Sequence, residues 1–330
     1  MSTENQLPKI VLAPMAGITD RPFRILCRRF GADATTSEMV SANPALRNTR
    51  KSKNRIDYRG ESGLRIVQIA GSDPKTMADA ARFNIDNGAE VIDINMGCPA
   101  KKVCNVMAGS ALLKNEILVG QILEAVVNAV DVPVSVKIRT GTDPKHRNGV
   151  TIAKIAEQSG IRSIVVHGRT RACAYRGDAE YETIRSIKQA INIPLYANGD
   201  ITSPQKAKRV LELTGADGIM IGRAAQGSPW IFDQIKHFLN TEELIKPPSS
   251  SDIEKIMLEH MNNLYVFYGE FQGIRIARKH IRWYLDKLPS EIASESKNVW
   301  RQISRVDNIE TQLKLIIDFF ERQAINAKAA

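Results

Sequence analysis

Apolar runs rich in Val and Ile recur through the first 245 residues, with longer mixed stretches between them. They are Ile10–Met15, Ala34–Met39, Leu64–Ala70, Val91–Met96, Pro133–Arg139, Ser163–His167, Ile193–Ala197 and Gly218–Ile221. Most are continuous rather than alternating, which suits parallel strands covered on both faces. The stretches between them carry helix-start signals. Asp20 precedes Arg21-Pro22, Ser203 precedes Pro204 and Ser228 precedes Pro229, each a side-chain cap followed by proline in the first turn. Eight strands alternating with helices over about 240 residues match the size of a (β/α)8 TIM barrel. An open doubly wound sheet would carry a glycine-rich dinucleotide fingerprint after its first strand. The chain contains neither GxGxxG nor GxxxxGK[ST].

The pattern changes after residue 245. Lys246-Pro247-Pro248-Ser249-Ser250-Ser251 has the composition of a linker. Beyond it Ile253, Ile256, Met257, His260, Met261 and Leu264 follow helical spacing, as do Ile309, Leu313, Ile316, Ile317 and Phe320. Ile274–Leu285 and Glu291–Ile303 also read as helices. The expected architecture is α/β: a barrel domain over residues 1–245, then a small all-α bundle over 252–330.

Composition narrows the class. The hydrophobic share of 43% and charged share of 25% fit a soluble globular chain and are too apolar for a disordered one. No apolar run approaches the ~18 residues needed to span a bilayer. The start, MSTENQLPKI, lacks the basic and apolar regions of a secretory leader. Four cysteines, at 27, 98, 104 and 173, form no CxxC pair and no disulfide framework, which fits a reducing cytoplasm. Nothing suggests a spare apolar face, so a monomer is expected. The net charge of +10 favours a polyanionic partner, nucleic acid first among them. Residues 1–250 carry +9 of it, and 41–60 hold six basic residues against one acid, the make-up of either a solvated loop or a phosphate-contacting one.

The active site of such a barrel lies at the C-terminal ends of its strands. Here those ends are polar almost without exception: Pro14-Met15-Ala16-Gly17, Glu38, Gln68, Asn95-Met96-Gly97-Cys98-Pro99, Lys137-Ile138-Arg139, His167-Gly168-Arg169, Asn198-Gly199-Asp200 and Gly222-Arg223. The last two loops occupy a recurrent phosphate position of this fold. Gly199 and Gly222 permit close backbone approach, and Arg223 adds a guanidinium fork. Lys137, ending an apolar strand, needs either an acid such as Asp93 or an anionic ligand, because a buried ammonium is costly. His167 poses the same choice. Cys27 reads as core, whereas the turn around Cys98 exposes a thiol. No cysteine or histidine lies at metal-ligand spacing, so no metal is expected. The thiol can be a nucleophile, with His167 as its base, or a general acid, neutral at pH 7; the residues alone leave both open.

The stretch Ile92-Asp93-Ile94-Asn95-Met96-Gly97-Cys98-Pro99 resembles the signature of the tRNA-dihydrouridine synthases. The resemblance continues through APMAGITDRPFR at 13–24, VQIAG at 67–71, VKIRTG at 136–141, HGRTR at 167–171, NGDI at 198–201 and IGRAAQGSPWIF at 221–232. It runs more weakly into RIARKHIRWYL at 275–285, and its details are most similar to the bacterial B-type branch. It implies an FMN-binding catalytic barrel, a tRNA-binding helical domain, and NADPH-driven reduction of the uridine 5,6-double bond, in the D-loop on branch similarity. Hydride would pass from flavin N5 to uracil C6 and a proton from Cys98 to C5. The implied flavin contacts are Pro14, Met15, Ala16, Gln68, Lys137 and His167, with phosphate at Asn198, Gly199, Asp200, Gly222 and Arg223. Asn95 falls where flavin or uracil is held. Lys101, with Lys102 beside it, Arg139, Arg169, Arg275, Arg278, Lys279 and Arg282 are the candidate substrate contacts. Two rivals remain. A flavin barrel acting on a small substrate, such as a dihydroorotate-dehydrogenase-like enzyme, needs neither the charge nor the helical domain. A non-catalytic RNA-binding protein has no use for Cys98, Lys137 and His167 together.

Overall fold

The computed structural model describes residues 9–329. The first eight residues, most of the segment that argued against a secretory leader, and Ala330 lie outside the described residues. Nine strands are all parallel: β1 Ile10–Leu12, β2 Ala34–Thr36, β3 Val40–Ser41, β4 Arg65–Ala70, β5 Val91–Met96, β6 Val134–Arg139, β7 Ser163–His167, β8 Leu195–Asn198 and β9 Gly218–Ile221. Pairing runs β1-β2-β4-β5-β6-β7-β8-β9 and closes where β9 meets β1, so eight strands form the barrel. The extra strand, β3, lies against the C-terminal end of β4, with Val40 opposite Ile69.

Where strand limits depart from the hydrophobic pattern, a side chain has taken a ladder position. The expected strand Ala34–Met39 stops at Thr36, where the Ser37 hydroxyl accepts the Gln68 N–H, at 3.2 Å, in place of a backbone carbonyl; β3 starts only at Val40, past the expected run. The first strand stops at Leu12. Pro14 has no N–H to give, and the Met15 N–H is taken by Thr19 Oγ1 at 2.9 Å. Helix caps at Asp20 and Ser203 form as expected, accepting from Phe23 N and Lys206 N. The cap expected at Ser228 does not. A 3-10 turn, Arg223–Ala225, leads in, Ser228 N bonds Ala225 O, and the helix starts only at Ile231.

Strand alternation turns every second residue inward. On the β1, β2, β7, β8 and β9 side these residues form an apolar cluster of Val11, Ala13, Ala34, Val165, Tyr196 and Met220, with Ile66 against it. On the β4–β6 side Gln68, Asp93, Asn95, Ser135, Lys137 and Arg139 occupy the corresponding positions, all buried.

By compactness the chain divides into two units, Met1–Gly222 and Arg223–Ala330. Linker composition divides it elsewhere, at 246–251, so the helix Ile231–Thr241 groups with the second unit. That unit also holds the helices Ser250–Tyr268, Glu270–Leu285, Ala293–Ile303 and Ile309–Ala329, at the places helical spacing indicated. Its core includes Met257, Met261, Leu264, Ile274, Ile281, Tyr284, Ile303 and Phe319. No helix of the described residues is long and apolar enough to cross a membrane.

Candidate active site

Register places the polar inward residues in rows. Gln68 lies opposite Asp93 and Asp93 opposite Ser135. One row nearer the C-terminal ends, Asn95 lies opposite Lys137. Next come Arg139, His167 and Asn198, each opposite its neighbour. Hydrogen bonds link the first two rows into a relay. Ser135 Oγ donates to Asp93 Oδ1 at 2.7 Å and Gln68 Nε2 to Asp93 Oδ2 at 2.7 Å. Asn95 Nδ2 donates to Gln68 Oε1 at 2.6 Å. Asn95 Oδ1 then accepts the N–H groups of Gly97, at 3.3 Å, and Cys98, at 3.0 Å. Burial raises the Asp93 pKa, while the Gln68 and Ser135 hydrogen bonds and nearby Lys137 oppose that rise.

The relay ends on the turn that carries Cys98, and that turn is held from three sides. Asn95 takes its N–H groups. Arg139 Nε donates to Gly97 O at 2.7 Å. Ser110 donates twice to Cys98 O, from its backbone N at 3.0 Å and its Oγ at 2.9 Å. The adjoining Gly109 has φ +62°, and a Cβ there would sit 2.7 Å from Cys98 O. Only glycine supplies both that backbone conformation and that approach. Cys98 itself is half-buried. Burial pushes its thiol up, with the Ala100 N–H and the cations Arg139 and Lys137 pulling the other way. The group is therefore a neutral S–H at pH 7. Sequence reasoning did not find Ser110 and Gly109, which lie twelve and eleven residues from the cysteine they hold.

Lys137 does not hydrogen-bond Asp93, the acid the sequence offered it. Its Nζ donates to Asn198 Oδ1 at 3.0 Å, and Asn198 Nδ2 donates onward to Met220 O at 2.7 Å. With both Asp93 oxygens already held by Gln68 and Ser135, the carboxylate helps only through space. Desolvation first, and Arg139 second, pull the Lys137 pKa down to about 8, against the pull of Asp93 and Cys98. This is a buried cation whose one hydrogen-bond partner among the described residues is a neutral amide.

Arg139 and Arg169, expected to meet substrate, are buried and turned inward. Arg139 Nη1 donates to Thr170 O at 3.0 Å and Ala174 O at 2.7 Å, which ties the Cys98 turn to the loop after β7. Arg169 binds both carboxylate oxygens of Asp200 and Gly177 O, and its Nη1 lies 3.3 Å from His167 Nε2. Guanidinium nitrogens only donate, so His167 Nε2 accepts and the ring proton sits on Nδ1. The Asp200 carboxylate also accepts the Ala179 N–H at 2.8 Å. Asp200 has φ +48°, and Gly199 has φ +127° with its Cα facing His167 and Ala179 closely enough that a Cβ would clash. The negative charge in the Asn198–Asp200 loop is thus neutralised by Arg169, and glycine lets the loop pack directly against His167 and Ala179.

The other expected contacts divide into presented and committed side chains. Pro14 and Met15 are half-buried and Ala16 is exposed after β1. Gln68 has both ends of its amide in the relay. Gly222 follows β9, and Arg223 opens the second unit and is exposed. Lys101 and Lys102 are exposed in a short helix just past Cys98. Of the 41–60 basic residues, Arg47 lies over the Phe83 ring, Arg55 pairs with Glu38 and donates to Met39 O, and Arg59 pairs with Asp57. Lys51 and Lys53 remain exposed. In the second unit Arg275 is exposed, Arg278 donates to Val306 O at 2.6 Å, and Arg282 pairs with Asp286 at 3.0 Å. Lys279 is half-buried. Tyr175, which sequence reasoning passed over, is 57% exposed with its ring beneath the Arg139 guanidinium at 5.5 Å and 6.3 Å from the His167 ring. Among the described residues no cluster of His, Cys, Asp or Glu could hold a metal ion.

The sequence profile of the dihydrouridine synthase (Dus) family matches residues 11–324. The tRNA-dihydrouridine synthase B of Pseudomonas syringae pv. tomato is 57% identical over 313 residues, 95% of this chain and 91% of that protein. The tRNA-dihydrouridine synthase B of Vibrio parahaemolyticus is 55% identical over 315 residues, 96% of each. Among solved structures, 6-hydroxypseudooxynicotine amine oxidase from Pseudomonas geniculata N1 superimposes with a TM-score of 0.55. It is 13% identical and covers 70% of this chain and 47% of that one, a likeness of fold alone.

Proposed function

The chain belongs to the dihydrouridine synthase family, and from that premise we propose that it reduces the 5,6-double bond of uridines in tRNA, with FMN as its cofactor and NADPH as the reductant. The residues at the barrel mouth fit such a flavin. Lys137 is a buried cation with a neutral partner, suited to an electron-rich ring edge. The Asn198–Asp200 loop, its carboxylate already neutralised by Arg169, is the expected seat of a phosphate. Gly222 and the next residue, Arg223, are the expected remainder of that phosphate site. Pro14, Met15 and Ala16 would line the ring. When bound, FMN supplies the hydride that reaches uracil C6.

The chain's own residues do the rest. Cys98 keeps its proton at neutral pH and delivers it to C5 as general acid. Asn95, Arg139 and Ser110 hold the turn from which it acts. Gln68 orients Asn95 through its amide oxygen, and its second amide N–H is left for the flavin contact expected of it. Lys137 would hold the electron-rich edge of the ring, with His167 in support. A uracil in folded tRNA must leave its stack to enter the barrel. Lys101, Lys102, Lys51 and Lys53 are placed to meet phosphates, and the helical unit carries the remaining RNA contacts. In this reading the enzyme works in the cytoplasm as a monomer on D-loop uridines.

One observation carries the proposal: a thiol on a turn held from three sides, just past the strand that pairs with the one bearing a buried lysine. The test is Cys98→Ala. The purified variant is expected to remain yellow and to oxidise NADPH, while dihydrouridine formation from unmodified tRNA in a single turnover of reduced enzyme falls by about a hundredfold or more. Full product formation would remove the acid from the scheme. A colourless protein that no added flavin reconstitutes would remove the cofactor.

A further inference from the structure

The turn joining the helices Ser250–Tyr268 and Glu270–Leu285 carries an exposed aromatic ring, Phe271. Phe271 is 70% exposed. Its helix buries a different face, made of Ile274, Ala277, Ile281, Tyr284 and Leu285. One turn further on, the Arg275 guanidinium lies over the Phe271 ring at 4.4 Å from its centroid. Phe267 and Tyr268 meet edge to face at 4.7 Å on the other arm of the same turn. Positions 271, 275, 278 and 282 advance by four, three and four residues, which keeps them on one stripe of the helix. The stripe therefore reads aromatic, then three arginines, the last lying over Trp300 at 5.9 Å.

A solvent-exposed phenyl ring carrying a stacked guanidinium is a flat π surface with a fixed positive charge at its edge. It gives no advantage to the fold, since exposure of the ring is unfavourable. It does match a nucleobase, which offers a π face of its own beside a phosphate. Val266, 84% exposed, is the other large apolar side chain exposed at this turn, while neighbouring Glu270, Gln272 and Arg275 are polar, so the patch is too small and too charged for an ordinary apolar protein contact. We infer that Phe271 and Arg275 form a stacking platform for one unstacked base of the tRNA, with Arg275 beside the adjoining phosphate. This rests on the reading that the helical unit binds tRNA.

The experiment measures the Kd of unmodified tRNA for the full-length, flavin-loaded protein carrying Phe271→Ala, Phe271→Trp, Val266→Ala or the pair Arg275→Glu with Lys279→Glu. The exposed position of Phe271 leaves folding intact, which flavin content and melting temperature verify. Phe271→Ala is expected to raise Kd about five- to a hundredfold, and to raise KM for tRNA while kcat at saturating tRNA holds. Phe271→Trp should restore wild-type affinity, and Val266→Ala, at the same turn, should change nothing. If the charge-reversed pair weakens binding but Phe271→Ala does not, the platform is wrong and the helical unit still binds tRNA. If neither changes Kd, both ideas fall. If Phe271→Ala alters only self-association in sedimentation, the ring contacts a second copy, and the platform is again refuted.

Discussion

On the side of the barrel formed by β1, β2, β7, β8 and β9, the interior is filled by Val11, Ala13, Ala34, Val165, Tyr196 and Met220. On the β4–β6 side the same inward rows hold Ser135, Asp93, Gln68, Asn95 and Lys137. Both sides are buried, yet they do different things. The apolar side stabilises the closed sheet by removing hydrocarbon from water. The polar side costs desolvation at every member and recovers it because Ser135, Gln68 and Asn95 donate along a single line while Lys137 donates across to Asn198. That line ends on the N–H groups of Gly97 and Cys98. The comparison teaches that the polar rows are there to hold one turn, since an apolar interior closes a barrel without them.

If the difference is real, substitutions on the two sides must separate stability from turnover. Asn95→Ala removes the acceptor for two N–H groups of the Cys98 turn and leaves Gln68 Oε1 buried without a donor. Dihydrouridine formation at saturating tRNA should fall at least tenfold, with a loss of ~1–3 kcal/mol of unfolding free energy in denaturant titrations. Lower stability with unchanged kcat would reduce the relay to a structural feature. Met220→Ala, on the apolar side, should cost ~2–4 kcal/mol of stability and leave turnover per bound flavin unaltered. A matching drop in kcat would erase the distinction between the two sides.

The smallest effect is a pH dependence at Lys137, where the sides meet through Asn198 and Met220 O. Its pKa of about 8 lies below that of a free lysine. The unfolded chain thus holds more protons than the folded one between about pH 8 and the ordinary lysine value, and flavin-free stability gains from this group as pH rises through that window. Cofactor binding runs the other way. An electron-rich ligand favours the ammonium, so above pH 8 binding must take up a proton, and FMN affinity should weaken by up to tenfold per pH unit. Titrating flavin-free protein with FMN between pH 7 and 9.5 checks the slope, which Lys137→Met should flatten. A slope retained in that variant would assign the titration to another group.

Much of this was readable along the chain. The runs Val91–Met96, Ser163–His167 and Gly218–Ile221 coincide with β5, β7 and β9 because a strand buried on both faces must be apolar throughout. The concentration of polar residues at strand ends also marks the candidate site, since the fold opens there. Side-chain hydrogen bonds escaped that reading. Ser37 ends the run Ala34–Met39 early, at Thr36, by accepting from Gln68 N. The start of the helix at Ile231 depends on a preceding 3-10 turn that outweighs the Ser228-Pro229 signal. Arg139 and Arg169 look like RNA contacts as isolated cations; their carbonyl and carboxylate partners lie 8 to 42 residues away.

By itself the sequence determined a closed parallel barrel, a helical bundle after it, a thiol and a lysine at strand ends, and an excess of positive charge. Periodicity, composition and local motifs are properties of neighbouring residues, so they survive without coordinates. Tertiary structure alone decided which polar groups face each other: that Lys137 leans on Asn198 rather than Asp93, that Asp93 belongs to a relay, that Ser110 grips Cys98, and that Arg169 neutralises Asp200. Those pairings depend on register between strands and on where loops return to the barrel mouth. A hydrogen bond requires its two atoms within about 3 Å, a condition that no spacing along the chain can express.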